Sequence, residues 1–490
     1  MRATLKYHHV IIAILLIISL LFLIQPLFES FLFAERNQNE GWNAGHAARA
    51  MSGLNIYDTS ALFITVAYPP VSFYVVGAIG TIIGDDLFAG RIVSFLSFLA
   101  LALNVYLISS RISESRANGV VSSLFFVSLM GAYYHFYIAM NDPQMLGNAL
   151  MLAGLTVFVL KPRRVPYLFL VAGLVCLGGF VKQSLIPIPL TITIFLILFD
   201  RRALLLWLAA SAVCLAAAFA ATLGLFGFGF MQSLNNPLWY PFSLQRLGEQ
   251  AEIVLYRLQV PIVLWAAQSI LFRRHEDTWL IGIYVVIALI SAIGFSGGNG
   301  VNVNVFFDFV IGLSIATGIG LQRISNLLLE RHFQQAQATA AMTLLSLALC
   351  FGLIVALPIK AYTFVAKDLK LPQVAAETAE DVAYLKARPG AVLCMRQSLC
   401  YWADKGFEFD SINIVAAILA GDKDLEPLLQ RMREGQFDVI QLPKKPFAIY
   451  DDHPSLRAFL QTVGDHYQVD RTSVNGVFFT PRLLVPDPVD

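Results

Sequence analysis

Residues 69–84 read PPVSFYVVGAIGTIIG, and whether this run crosses a membrane sets the sidedness of everything after it. A crossing helix needs about 20 apolar residues, and broken backbone is tolerated poorly in lipid. Sixteen residues opening on Pro-Pro fit an interfacial or re-entrant helix better than a full span. An ordinary short span is the alternative.

The basic residues around this run favour the first reading. Arg2/Lys6, Arg111/Arg116, Lys161/Arg163/Arg164, Arg201/Arg202, Arg273/Arg274 and Arg323/Arg331 all lie in short segments between apolar runs. Positive residues collect on the cytoplasmic side. All six clusters stay there if eleven spans run at 9–31, 89–110, 119–139, 144–160, 165–181, 184–200, 203–224, 258–272, 277–295, 306–321 and 338–358. This places the N-terminus inside and the C-terminus outside. If 69–84 crossed, every later cluster would flip outward.

The expected fold class is therefore mostly α: a polytopic membrane bundle of about eleven spans, with outer-face interfacial helices and a small C-terminal soluble α/β domain. Composition agrees, since 57% of the 490 residues are hydrophobic and only 14% charged. The first span is too long for a signal-peptide core and lacks a small-residue cleavage site, so it is read as a retained helix. Residues 1–359 form the membrane-embedded part. In 360–490 the apolar runs shorten and strand-type pieces (AVLCM, FDVIQL, NGVFFT) alternate with helical ones (VAAETAEDVAYLKA, LEPLLQRMREG, SLRAFLQTVG). A net charge of +1 without a basic domain excludes nucleic acid as an expected partner and leaves membrane lipids and small molecules.

Three cysteines sit in apolar runs without metal-type spacing. Cys394 and Cys400 lie in the polar outer region, where an oxidising compartment permits a disulfide; spacing alone leaves pairing open.

This topology brings five ionisable residues to the outer membrane boundary, where charge is costly and so points to function. Glu40, in ERNQNEGWNAGHAARAMSG, is a candidate general base for an alcohol acceptor. Asn39, Trp42, Asn43 and His46 lie on or beside its turn, as hydrogen-bonding groups and an aromatic wall for substrate. Its alternative role is structural: Asn37 caps the helix and Glu40 reaches back to Asn37's amide. Asp142, in AMNDPQML, projects from the mouth of a span, and Asp-Pro is also a good helix start. Lys182, in GGFVKQSLIPIP, is a candidate phosphate-holding cation with Gln183 and Arg91 as helpers, or else a snorkelling lysine. Asp308, in GGNGVNVNVFFDFV, sits among aromatics just inside a span, and pairing with an arginine is its structural alternative.

The order NEGWNAGHAARAMSGLNIYD, YPPVSFYVVGAIG, GDDLFAGRIVSFL, AMNDPQMLGNALMLAGL, FVKQ, GGNGVNVNVFFDF resembles the bacterial membrane glycosyltransferases of the GT-C superfamily, which include protein mannosyltransferases and the aminoarabinose transferase of lipid A. The resemblance covers residues 1 to about 325 and is carried by the six motifs together. It implies an inverting transferase of the bacterial plasma membrane. Such an enzyme moves a sugar from a polyprenyl-phosphate donor to a hydroxyl acceptor on a glycan, lipid or protein at the outer face. It places Glu40 in the first acidic motif and Asp142 in the second, Lys182-Gln183 in the Lys-Gln motif, and Asn304 to Asp308 in the Asn-aromatic-acidic motif. Tyr68, beside the Pro-Pro run, joins the substrate-contacting set. Asp142 then orients the acceptor or binds a divalent metal ion; no other cofactor is expected. One position departs from the pattern, since the family often has Asp-Glu where this chain has Asn39-Glu40. A lipid-linked-sugar flippase and a non-catalytic membrane scaffold are the alternatives from other functional classes.

Overall fold

Each of the eleven apolar runs expected to span is helical in the computed structural model, which describes residues 7–58, 63–235, 242–298, 300–331, 333–411, 413–445 and 453–482. These helices are α1 (Tyr7–Ser30), α4 (Asp86–Ser113), α5 (Arg116–Tyr133), α6 (Gln144–Leu160), α7 (Val165–Gly179), α8 (Pro187–Phe199), α9 (Arg201–Phe226), α12 (Gln259–Leu271), α13 (Glu276–Ser296), α14 (Phe307–Glu330) and α15 (Gln335–Ala366). Between them lie α2 (Gln38–Met51), α3 (Val71–Ile83), the short α10 (Gly229–Ser233) and α11 (Leu244–Arg257). Six helices among the described residues are long and apolar enough to cross on their own. The bent pair α11–α12, broken at 77°, would make a seventh. Helices α6, α7 and α8 are apolar but shorter.

The deciding run, 69–84, forms a helix of 13 residues, α3. At 1.5 Å per residue it reaches about 20 Å, well short of a hydrocarbon core of about 30 Å. Its stop is local: Gly84 takes φ 86°, the left-handed conformation a glycine reaches without strain, and its amide bonds back to Gly80. Helix α3 packs against α2 and α4. In the stretch 225–257, rich in Trp, Tyr and Phe, residues 236–241 lie outside the described residues.

The C-terminal part contains both helices and strands. It contains α16 (Leu371–Lys386), β1 (Ala391–Cys394), α17 (Gln397–Trp402), α18 (Asn413–Leu419), α19 (Glu426–Arg433), β2 (Phe437–Leu442), α20 (Pro454–His466), β3 (Tyr467–Ser473) and β4 (Gly476–Pro481). The sheet order is β1-β2-β4-β3, with β1 parallel to β2 and the other pairs antiparallel. The expected strand and helix pieces are all present. Strand β3, with the polar sequence YQVDRTS, and the short α17 and α18 carry no period that sequence reading detects. Cys394 and Cys400 form a disulfide that ties the end of β1 to α17.

Candidate functional site

Glu40 is wholly buried and fully occupied. Arg91, 2% exposed on α4, grips it with both arms: Nε donates to Oε1 at 2.9 Å and Nη2 to Oε2 at 2.7 Å. The Arg36 amide donates to Oε2 at 2.8 Å, and the Asn141 amide to Oε1 at 3.1 Å. Four donors thus meet two oxygens. Burial alone would push the Glu40 carboxyl up, but Arg91 and then Arg36 outweigh it and hold the group below its ordinary value. A base needs a free lone pair, and this carboxylate has none to offer.

The remaining donors of Arg91 go to the carbonyls of Ser30, Leu32 and Ala34. This guanidinium ties α1, α2 and α4 together and cannot also hold a phosphate. The capping geometry differs slightly from expectation: Asn37 caps α2 through the Asn39 amide, and Glu40 reaches back to Arg36, not Asn37.

Arg36, which sequence reading passed over, does similar work. It pairs with Glu29 at 2.8 Å and donates to the carbonyls of Ile138, Ala139 and His135. It fixes the loop before Asp142, where Ala139 takes φ 55°. Asn43 Nδ2 bonds to the carbonyls of Asn39 and Asn141, both at 2.9 Å, and Asn141 Nδ2 returns a bond to the Glu40 carbonyl. Glycine is required at position 90, since a Cβ there would stand 1.9 Å from Asn141 Oδ1.

Asp142 is the acid with capacity to spare. Its Oδ1 accepts the Gln144 amide at 2.9 Å and starts α6, while Oδ2 is buried without a hydrogen-bond partner. It lines a cleft with Asn43, Ser72, Phe73, Val76 and Asn141. Lys182, in the turn between α7 and α8, is near enough for the Asp142 charge to favour its ammonium, although burial, the larger effect, lowers its pKa. Among the described residues no hydrogen bond holds Lys182 Nζ, which lies 5.1 Å from the Tyr68 ring centroid. Gln183 Nε2 bonds to the Ala67 carbonyl, which secures the turn and leaves Oε1 unpartnered.

A hydrogen-bonded chain joins this acid to the motif at Asn304–Asp308, the Asn148–Asp308 bond alone bridging 160 positions. Gln144 Nε2 donates to Asn148 Oδ1 at 2.7 Å, Asn148 Nδ2 to Asp308 Oδ2 at 3.0 Å, and Tyr284 Oη to Asp308 Oδ1 at 2.7 Å. The partners of Asp308 are thus an amide and a phenol, with no arginine. Gln144, Asn148 and Tyr284 went unnoticed in sequence. The first two follow Asp142 on one face of α6, a detectable signal; Tyr284, inside an apolar helix, gives none. Asn304 is buried in the turn before α14.

The wall expected around Glu40 is present but turned elsewhere. Trp42, His46, Phe73 and Tyr68 form an aromatic cluster, with Trp42 4.4 Å from His46 and 5.5 Å from Tyr68. His46 is fully buried in it, and burial pushes the imidazole down to about 3, leaving it neutral. Tyr68 alone of this set is part-exposed and touches both the cluster and Lys182. Asn39 is half-buried at the first turn of α2. Among the described residues no group of three or more His, Cys, Asp or Glu side chains gathers as a metal site. One carboxylate oxygen beside an ammonium is a poor donor set for a divalent cation.

Comparison with known proteins agrees with this architecture. Residues 67–225 match the family model of dolichyl-phosphate-mannose-protein mannosyltransferases. The chain is similar to the crystal structure of ArnT from Cupriavidus metallidurans bound to undecaprenyl phosphate, with a TM-score of 0.58, 13% identity and 98% of each chain covered. The apo state of the same protein gives 0.58 and 12%, over 96% of this chain and 97% of that one. No curated protein matches the sequence. The expected GT-C resemblance is thus borne out at the level of fold.

Proposed function

We propose that the chain is an inverting glycosyltransferase that moves a sugar from a polyprenyl-phosphate donor to a hydroxyl acceptor at the outer face of the bacterial plasma membrane. The family model and the undecaprenyl phosphate held by the ArnT structure support the donor class. The observation that carries the chemistry is the contrast between two carboxylates. Glu40 has every lone pair engaged, while Asp142 has an unpartnered oxygen and a charge that the Lys182 ammonium feels, with no hydrogen bond holding that ammonium among the described residues.

In this reading Asp142 Oδ2 takes the proton of the acceptor hydroxyl as its oxygen bonds to the anomeric carbon. The bond from that carbon to the phosphate oxygen breaks on the opposite face, and the electron pair leaves with the polyprenyl phosphate. One displacement inverts the centre. Lys182 meets the charge growing on the departing phosphate, in a buried setting where such an interaction counts for more than in water. Gln183 Oε1 and Tyr68 face the acceptor or the sugar. Glu40 and Arg91 hold the frame, and Asn39 marks the position where the first acidic motif has lost its aspartate. No metal step is needed, because Asp142 acts as base and Lys182 supplies the cation.

The test is transfer by purified protein with a panel of undecaprenyl-phosphate sugars. Asp142→Asn keeps the oxygen that starts α6 and loses the base, so transfer should fall by about 10²–10⁴-fold with melting temperature unchanged. Unimpaired transfer by this variant would remove Asp142 as base. Movement of the donor across liposomes without cleavage would favour a flippase.

A further inference from the structure

The outer domain does not sit apart from the membrane body; it lies directly on α2. Helix α17 packs so closely that a Cβ at Gly41 would stand 2.2 Å from the Ser398 amide nitrogen and 2.8 Å from the Gln397 carbonyl carbon. Trp42 Nε1 donates to Asp410 Oδ2 at 2.9 Å, and Ser398 Oγ donates to Glu35. The Asp410 amide bonds to the Phe63 carbonyl at 2.7 Å. Further along, Trp402 Nε1 donates to Asp85 Oδ2 at 2.9 Å and stacks on Phe33 at 4.1 Å, and Tyr401 Oη meets Asp86 at the start of α4. These contacts cover one face of α2 and the beginning of α4, the two helices joined by Glu40 and Arg91.

A line of packed rings then runs from this interface to the site. Phe407 of the outer domain lies 5.1 Å from His46, His46 lies 4.4 Å from Trp42, Trp42 lies 5.5 Å from Tyr68, and Tyr68 carries Lys182 at 5.1 Å. Packed interiors transmit displacements of this kind because they have little free space to absorb them. The contacts are tight at Gly41, polar at Trp42 and Glu35, and close to the cleft.

We infer that the outer domain is a positioning part of the catalytic body: α17, tied to β1 by Cys394–Cys400, seats α2 and through Trp42 sets the ring line that ends at Tyr68 and Lys182. Trp42 is the positioning residue, acting on the site through Tyr68. The inference rests on Asp142 and Lys182 being the site, as proposed above.

The experiment uses the full chain in nanodiscs and reads hydrogen exchange in peptides of α2 (38–51) and of β2 (437–442), together with binding of undecaprenyl phosphate. Gly41→Ala should wedge α17 off α2 and speed exchange in α2 by about tenfold or more, with β2 protection intact. Trp42→Phe keeps the ring and loses the bond to Asp410, so it should give a smaller change in the same direction. In an active preparation it should lower kcat more than it changes KM, and Asp410→Asn, whose single amide oxygen cannot accept from both Trp42 and the Asn413 amide, should shift α2 exchange in the same direction. Unchanged α2 exchange in Gly41→Ala would overturn the inference. So would faster exchange appearing equally in β2, since that is general loss of stability. If wild type fails to bind undecaprenyl phosphate, the donor reading falls, while the exchange data still decide the positioning of α2.

Discussion

The Glu40–Arg91 pair illustrates how far a residue's role depends on what surrounds it. Removing one member of a buried, hydrogen-bonded ion pair leaves an uncompensated charge and costs about 3–5 kcal/mol. Glu40→Ala and Arg91→Ala should each lower the midpoint of chemical denaturation strongly, the double variant should cost much less than their sum, and Arg91→Lys should not rescue, because one ammonium cannot reproduce the two-armed grip. A loss of transfer in Glu40 variants should therefore travel with lost stability, unlike the loss in Asp142→Asn. The sign of the pH effect follows from the same environment. A carboxyl held below its ordinary value contributes stability above that value and loses it as pH falls through the folded pKa. His46 adds acid sensitivity of its own. The unfolded imidazole takes up a proton near 6.5 and the folded one only near 3, so stability falls as pH drops from 6.5 towards 3. His46→Phe, which keeps a ring in the aromatic cluster, should flatten that part of the curve of melting temperature against pH. At this scale the sequence names Glu40 and Arg91 separately and does not show that they pair. A motif marks where Glu40 lies, but only the fold reveals that Arg91, 51 positions away, has already claimed it.

Elements were more legible than residues. Helix lengths, the stop at Gly84 and the start of α6 at Asp142-Pro143 follow from composition and caps that act locally. Contacts between elements did not follow, since nothing in MNDPQ announces that Asn141 will meet the backbone of α2. The approach of α4 to this loop is equally silent in sequence, and Gly90 is where it can be tested. Gly90→Ala should displace Asn141, loosen its amide from Glu40, and reduce both transfer and melting temperature, read together on the same preparation. The disulfide is undetermined in sequence for the same reason: six residues of spacing permit a bond without requiring one. A thiol label on folded protein should miss Cys394 and Cys400 until reductant is added, and labelling of both without reductant would contradict the bond.

For the whole molecule, the period and length of apolar runs gave the mostly helical body and the outer α/β domain, because membrane and sheet both impose simple repeats. Sidedness rests on the basic clusters. Single cysteines placed at Glu114 and at Asp58 should react with an impermeant maleimide from opposite sides of the membrane, Glu114 from the cytoplasm and Asp58 from outside. Reaction of both from one side would require 69–84 to be reread as a crossing. The seating of the outer domain was invisible in sequence, since Trp42 and Asp410 are separated by 368 positions. That separation has a consequence for biosynthesis. The segment that carries Glu40 is made well before the residues that close over it, 368 positions later at the Trp42–Asp410 contact. A chain halted before residue 397 would hold every side chain proposed for chemistry and still lack the surface that seats them. If the proposed transfer is right, translation order itself would keep it silent until residues 397–410 had folded onto α2.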